Sequence, residues 1–429
     1  MSQAEQLSGS TLKYGIPSSR TALRRLEFWL ACAAVFFAPM NVLRLPDFYF
    51  TAGDAFACLC IGAMVINGTI KPKALGPGTA YWLFGLVTMV GALLASSLLA
   101  GVVDRGMILS MQYLFAYFLL PLILLGRPWR ETDVLMKVFV ASMVVMILHG
   151  IYVVDFVRET NTTFVSGSGR LQGFVERENE CGSLFALTVP MVLSMAATRT
   201  IHPVVALIVM LLLGYGIMLT GSNTALYGML FGLGVFTLAS LTAKRILLVA
   251  IGCLLLWAAI SMPGVVELLP AVFQKRVLVG LETGNLDEAG TFADRMLLIK
   301  EAIRLGGDSS LLGSGADQYR EISAWHAPVH NLYLLIWNEG GFLALVGFLT
   351  MLSGAAITVA IAWRSGGGHS EAICGFSTVA LFTLLVNAVP HVYGRFWAVP
   401  VLLSLAPAIS LINEGPRRRR PPHPSRNGY

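Results

Sequence analysis

Residues 201–219, IHPVVALIVMLLLGYGIML, and residues 223–241, NTALYGMLFGLGVFTLASL, are apolar runs separated only by Thr220-Gly221-Ser222. A membrane-crossing helix needs about 20 mostly apolar residues, within a range near 17–25, and each run meets that length. The triplet between them suffices for a tight turn, so the chain crosses, reverses and crosses back. Working outward, further candidate runs occupy approximately 27–43, 48–68, 79–101, 107–126, 134–156, 182–198, 246–262, 340–362, 372–389 and 394–413. The fold class is therefore all-α: a polytopic helical membrane protein with about 12 transmembrane helices.

Composition agrees. Hydrophobic residues make up 56% of the 429 and charged residues only 13%, where a soluble domain carries nearer a quarter charged. A soluble core would not hide this much apolar surface, so lipid must solvate much of it. An outer-membrane barrel would show short alternating segments in place of long runs. The net charge of +6 does not indicate nucleic acid, because the basic residues sit in short clusters between apolar runs, where they act as topology signals. The run Arg417-Arg418-Arg419-Arg420 reads as a stop-transfer flank, with contact to anionic lipid headgroups as the alternative. Cys32, Cys58, Cys60, Cys181, Cys253 and Cys374 show neither a disulfide framework nor metal-ligand spacing. There is no phosphate-binding P-loop with its lysine, so ATP has no visible route in.

The apolar run from Phe28 resembles a signal peptide, but no small-residue cleavage site follows it and Asn41 and Arg44 close it. It reads as an uncleaved first span. With the N-terminus in the cytoplasm, the inward loops hold Lys71 and Lys73; Arg127, Arg130 and Lys137; Arg199; Lys244 and Arg245; Arg364; and the C-terminal arginines. Every inward loop then satisfies the positive-inside rule, and both termini are cytoplasmic. The chain divides into a tail (1–26), helices one to five (27–156), a first outer loop (157–181), helices six to nine (182–262), a large outer loop (263–330), helices ten to twelve (331–413) and a basic tail (414–429). In the large loop, Phe292, Met296, Ile299 and Ile303 share one helical face. Gly306-Gly307 stops that helix, which reads as amphipathic and lying on the outer surface.

The chemistry concentrates in the outer loops. The first contains Ser166-Gly167-Ser168-Gly169-Arg170, then Leu171-Gln172-Gly173 and Glu176-Arg177-Glu178-Asn179-Glu180. A glycine-rich stretch presents N–H groups to an anion and Arg170 adds a guanidinium fork suited to phosphate oxygens; a flexible solvated loop is the plainer alternative. The second contains Lys275, Arg276, Arg295, Lys300, Arg304 and Arg320. Arg295, one turn into the amphipathic helix, either aims at a diphosphate or solvates a helix face. The sharpest segment is His330-Asn331-Leu332-Tyr333, leading through Trp337-Asn338-Glu339-Gly340-Gly341 into a span. A histidine with an unperturbed pKa near 6.5 takes a proton from a hydroxyl near neutral pH. Lone histidines are more often structural, but polar groups at membrane depth tend to be functional. Asp54, His391 and Arg395 are further polar groups at membrane depth. Asp54 is expected to pair internally and Arg395 to join the outward cavity.

Four stretches together resemble the O-antigen ligase and lipid-linked polysaccharide polymerase family, over roughly residues 165 to 365. Arg170-Leu171-Gln172-Gly173 with Asn179 is similar to the family's Arg…Gly…Pro-Asn loop. Thr220-Gly221-Ser222 resembles its Thr-Gly-Ser-Arg turn. Arg295 with Leu311-Leu312-Gly313-Ser314-Gly315 resembles its Arg…Leu-Leu-Gly-x-Gly region. His330-Asn331-x-Tyr333-Leu334, then Glu339-Gly340-Gly341, resembles its His-Asn motif, the most specific of the four. Two departures stand out: Asn223 where the family often has arginine, and Glu178 where proline usually precedes the asparagine.

The resemblance implies an inner-membrane glycosyltransferase, working with inversion on the periplasmic side without cofactor or metal. Its donor would be a glycan on undecaprenyl diphosphate. Its acceptor would be lipid A core for a ligase, or another lipid-linked glycan for a polymerase, where a chain-length regulator is a conceivable partner. The ligase is the preferred reading. His330 would be the catalytic group; Arg170, Arg276, Arg295, Asn179, Asn331, Tyr333 and Glu339 would bind diphosphate and sugar. A transporter or flippase explains the spans, but such proteins show paired broken helices and related halves, and this chain shows neither clearly. A scaffold leaves the His330 segment unexplained.

Overall fold

The computed structural model describes residues 19–45, 50–240, 264–279, 292–307, 311–365 and 369–415, with scattered positions between 246 and 262. In chain order the main helices are α1 (Ser19–Phe37), α2 (Ala52–Asn67), α3 (Gly76–Leu99), α4 (Val103–Leu124), α5 (Trp129–Val157), α6 (Glu178–Ala197), α7 (Pro203–Thr220), α8 (Asn223–Ala239), α9 (Phe292–Gly307), α10 (Leu332–Arg364), α11 (His369–Leu385) and α12 (Arg395–Glu414). Among the described residues seven are long and apolar enough to cross a membrane: α3 to α7, α10 and α12. Helices α2, α8 and α11 are shorter apolar helices. The span read at 246–262 lies largely outside the described residues, as do most of both tails. The chain is thus an all-α polytopic membrane protein, apart from a two-residue antiparallel pairing of Arg44-Leu45 with Phe50-Thr51.

The boundaries follow from local chemistry. Gly221, at φ 54°, ends α7, and Ser222 caps α8 by accepting from the Ala225 N–H at 3.3 Å. The triplet 220–222 is the tight turn that its length demanded. Thr51 and Asp54 form a reciprocal capping box at the start of α2. Helices α6 and α12 are sheathed by the others, with 83% and 89% of their apolar windows buried, against 39% for α7, which must face lipid.

Helices α3 and α10 pack backbone to backbone. A Cβ on Gly85 would lie 2.2 Å from Met351 N and 2.5 Å from Gly347 O, and one on Gly78 would lie 2.0 Å from Gly354 O. Small residues seven apart on both partners permit this approach, the usual basis of helix pairing where no hydrophobic effect separates helix from lipid. Helix α10 has 33 residues, roughly 50 Å at 1.5 Å per residue, longer than a hydrocarbon core of about 30 Å. Its span, read from the sequence as starting near residue 340, is extended by eight residues at its N-terminal end. Gly341, at φ 78° and ψ −178°, kinks it there. The carbonyls released at the kink are recovered by the loop that precedes it: Ser314 N–H donates to Asn338 O and Gly315 N–H to Glu339 O, both at 2.8 Å. The same loop is stitched to α3, Gly313 N–H donating to Ser96 Oγ at 2.9 Å and Ala316 N–H to Ser97 Oγ at 3.0 Å. Leu311–Gly315 and Glu339–Gly341 are therefore the two halves of one joint. A Cβ on Gly313 would meet Asn338 O at 2.4 Å, and one on Gly341 would meet Leu311 O at 2.3 Å.

Helix α9 ends at Gly307, and the face the periodicity picked is buried only in part: Ile299 packs against the cluster that Leu298 and Ala302 help to form. Leu298 and Ala302 pack with Tyr319, Val329 and Leu335, whereas Met296 and Ile303 are exposed. Asn338 Nδ2 donates to Ala302 O at 2.9 Å and fastens α9 to α10. The helix is docked against protein on one side, so the apolar residues facing α10 decide its orientation.

The bundle has two distinct ends. At one, Glu27 accepts from Asn67 Nδ2 at 3.0 Å and Thr69 Oγ1 at 2.8 Å and faces Arg127 at 3.4 Å, and Glu414 accepts from Trp129 N–H at 2.9 Å. The other gathers residues 41–45, 50–54, 158–180, 219–223, 264–279, 292–307, 311–332 and 386–395.

Candidate functional site

The first loop leaves α5, forms a tight hairpin and re-enters as α6. Val165 pairs with Leu171, Gly169 N–H donates to Ser166 O at 2.9 Å, and Gln172 N–H to Phe164 O at 2.7 Å. The glycine-rich stretch thus makes a turn, with Gly169 at φ 78°. Its product is the placement of Arg170, which is 8% exposed. Arg170 Nε donates to Thr220 O at 2.8 Å and Nη2 to Asn179 Oδ1 at 2.9 Å, while Ser222 Oγ donates to the same Oδ1 at 3.0 Å. Asn179 lies in the first turn of α6, flanked by Glu178 and Glu180, where carboxylates suit the positive helix end.

The second family-like turn joins this group. Asn223 Nδ2 donates to Arg276 O at 3.4 Å, and a Cβ on Gly221 would touch Arg276 Cδ at 3.5 Å. The Arg276 side chain therefore stands beside the turn at which Asn223 replaces the usual arginine. Arg276 Nε and Arg295 Nε are both buried without a hydrogen-bond partner. Among the described residues, no ion pair includes either arginine.

These cations feel one another. Burial lowers Arg170 to about 10; Glu178 opposes the shift, and Arg276 and Arg295 reinforce it. Burial also lowers Arg295, with Arg276 adding to the effect. Burial lowers His330 to about 4, and the guanidinium groups of Arg295 and Arg177 push the same way. His330 is therefore a neutral imidazole in a cationic surrounding. His391, also lowered chiefly by burial, lies within electrostatic reach of His330 and Arg177.

The structure thus groups Arg170, Asn179, Arg276 and Arg295, and Arg295 links this group electrostatically to His330. It employs the other three sequence candidates as supports. Asn331 caps α10, accepting from Leu334 N–H at 3.1 Å, and reaches Asn387 at 3.3 Å. Tyr333 donates its hydroxyl proton to Thr383 O at 3.1 Å. Glu339, 4% exposed, faces the backbone N–H groups of Asp317 and Tyr319 and belongs to the kink joint. Together they fix the turn that carries His330. Leu332 N–H, donating to Val386 O at 2.9 Å, ties that turn to the end of α11.

Arg177 was not singled out in the sequence, although it sits inside the quoted Glu176–Glu180 stretch. It lines a cavity of about 450 Å³ with His391, Tyr393 and Arg395. Arg395 pairs with Asp54, Nε to Oδ1 at 2.6 Å, and lies over the Phe115 ring at 5.0 Å. The expected internal partner of Asp54 is thus Arg395, which itself lines this cavity. Among the described residues no group of three or more His, Cys, Asp or Glu converges as metal ligands would.

The all-α membrane bundle thus carries, at one end, a buried group of arginines beside a neutral histidine. Residues 208–349 match the family described as O-antigen ligase. The chain carries that family's domain over this stretch, about a third of its length. The match contains Arg276, Arg295, His330 and the kink joint; Arg170, Arg177 and His391 lie outside it. A comparison with curated proteins finds no match.

Proposed function

We propose that the protein transfers a glycan from undecaprenyl diphosphate to a sugar hydroxyl on the periplasmic face of a bacterial inner membrane, as an O-antigen ligase acting on lipid A core. The gathering of Arg170, Arg276 and Arg295, with two buried Nε atoms unpartnered and with His330 within electrostatic reach of Arg295, carries this reading. A diphosphate supplies the negative oxygens such a cluster lacks, and planar guanidinium forks match them.

In the reaction the bond between the anomeric carbon and the phosphate oxygen breaks. The acceptor oxygen bonds to that carbon, its proton passes to His330, and the departing diphosphate takes up the electron pair. The arginines stabilise the charge that grows there, with Arg276 standing in for the family arginine absent at Asn223. His330 near 4 is a weak base in the empty site. The donor's negative charge offsets the arginines and favours imidazolium, raising the histidine toward the pH at which it accepts a proton effectively.

The defining assay gives the reconstituted protein an undecaprenyl-diphosphate glycan, with and without lipid A core. A single product shift that requires lipid A core is expected. A ladder formed without it would make the protein a polymerase, and transport of intact donor with no product would refute transfer. The basic loops set the sidedness. In a background lacking the six native cysteines, Glu321→Cys should react with a membrane-impermeant thiol reagent in cells with a permeabilised outer membrane. Protection until lysis would invert the topology.

A further inference from the structure

The cavity of about 450 Å³ beside the cationic cluster has a different electrical character. Four arginines line it: Arg44, Arg105, Arg177 and Arg395. Each is matched by a carboxylate. Arg44 contacts Glu176, and Arg105 contacts Asp317. Arg177 Nη1 lies 3.6 Å from Glu180 Oε1, and Arg395 Nε lies 2.6 Å from Asp54 Oδ1. These pairs cancel one another's charge, whereas Arg276 and Arg295 have no such partner among the described residues. Two compartments of opposite design therefore meet at Arg177 and His391, which line the cavity and lie within electrostatic reach of His330.

We propose that this cavity is the acceptor subsite and that it takes an uncharged, polyhydroxylated sugar, a proposal that rests on the glycan-transfer reading above. An incoming phosphate would have to displace a carboxylate from its arginine or sit beside it. A sugar hydroxyl donates and accepts at once, so it fits between a guanidinium and a carboxylate without separating them. Asn41, Gln112 and Tyr393 on the same wall add groups of the same two-way kind. The volume lies within the range of small-ligand pockets, about 300–1,000 Å³, with room for a short saccharide. The charge of the substrates is thus sorted by compartment: the diphosphate end of the donor at the uncompensated arginines, the acceptor sugar in the balanced cavity, and the histidine at their boundary.

The test is direct binding to the purified full-length protein in nanodiscs. The probes are neutral hexose trisaccharides and the same trisaccharides bearing one terminal phosphate, followed by saturation-transfer NMR and calorimetry. Wild type is expected to bind the neutral probes, with the phosphorylated forms no tighter. Gln112→Trp, which fills the cavity, should weaken neutral-probe binding at least tenfold. Glu176→Gln, which leaves Arg44 unmatched, should turn the preference toward the phosphorylated probe and serves if the tryptophan variant does not fold. Tighter binding of phosphorylated probes by wild type, no binding of neutral ones, or unchanged affinity in Gln112→Trp would overturn the proposal. Undecaprenyl diphosphate binding is measured in parallel. Its loss with sugar binding intact counts against the donor reading alone, and the reverse pattern counts against the acceptor subsite alone.

Discussion

His330→Ala is expected to lower glycan transfer by about 10²–10⁴-fold, the usual contribution of a positioned general base, with the amount of folded, inserted protein unchanged. The turn carrying it is held by Asn331, Leu332 and Tyr333 through contacts that the imidazole does not make. The pH profile gives a second readout. The free protein holds His330 near 4, below its ordinary value, so the neutral form persists well into acid. The acid limb of kcat/KM, which reports the free enzyme, should therefore fall below pH 6.5. The limb of kcat, which reports the substrate complex, should lie higher, because the bound diphosphate favours imidazolium. Normal transfer by His330→Ala would remove His330 from the chemistry. Coincident limbs would remove the coupling between donor and histidine.

Arg295→Ala should cost about 10²–10³-fold in kcat, as expected for losing one preorganised donor to developing charge. This arginine gives the cleaner test, since Arg170 also ties the hairpin to Thr220 and Asn179. Arg170→Ala confounds chemistry with folding, whereas the Arg295 Nε has no hydrogen-bond partner to lose. Removing a guanidinium near His330 also raises the histidine, so the acid limb of kcat/KM should move upward in this variant. Arg295→Lys should restore only part of the rate, because an ammonium is a point charge and not a planar fork. A defect confined to KM, with the pH profile unmoved, would place Arg295 in donor capture alone.

Much of this was readable from the chain, and the limits have physical causes. Spans are visible because lipid solvation acts on composition, which needs no tertiary information. The cations are visible by type; Arg170, Arg276 and Arg295 feel one another, and Arg295 lies within electrostatic reach of His330. What the sequence does not reveal is which polar atoms are already occupied. Asn331, Tyr333 and Glu339 sit beside His330 in the chain, yet their partners, Asn387, Thr383 and the Asp317–Tyr319 backbone, come from other segments. The face of α9 is readable only in part for the same reason: Ile299 packs as its spacing suggests, but contact with Leu335 and Tyr319 selects Leu298 and Ala302 over Met296 and Ile303. Arg177 looked like one charge among several, and its place at the boundary of two compartments depends on Arg395 and His391, more than 200 positions away.

The bend at Gly341 separates two tasks within one helix. Residues beyond it are clamped to α3 through Gly347 and Gly354, where no side chain can be added. Residues before it form a short bracket that carries the imidazole, and its tilt is set by the wedge Leu311–Gly315. Reshaping that wedge would tilt the bracket and would also be felt at Ser96 of α3 and at Leu343 of α10, to which its backbone is bonded. The position of the His330 turn thus depends on five loop residues as much as on the helix that follows it.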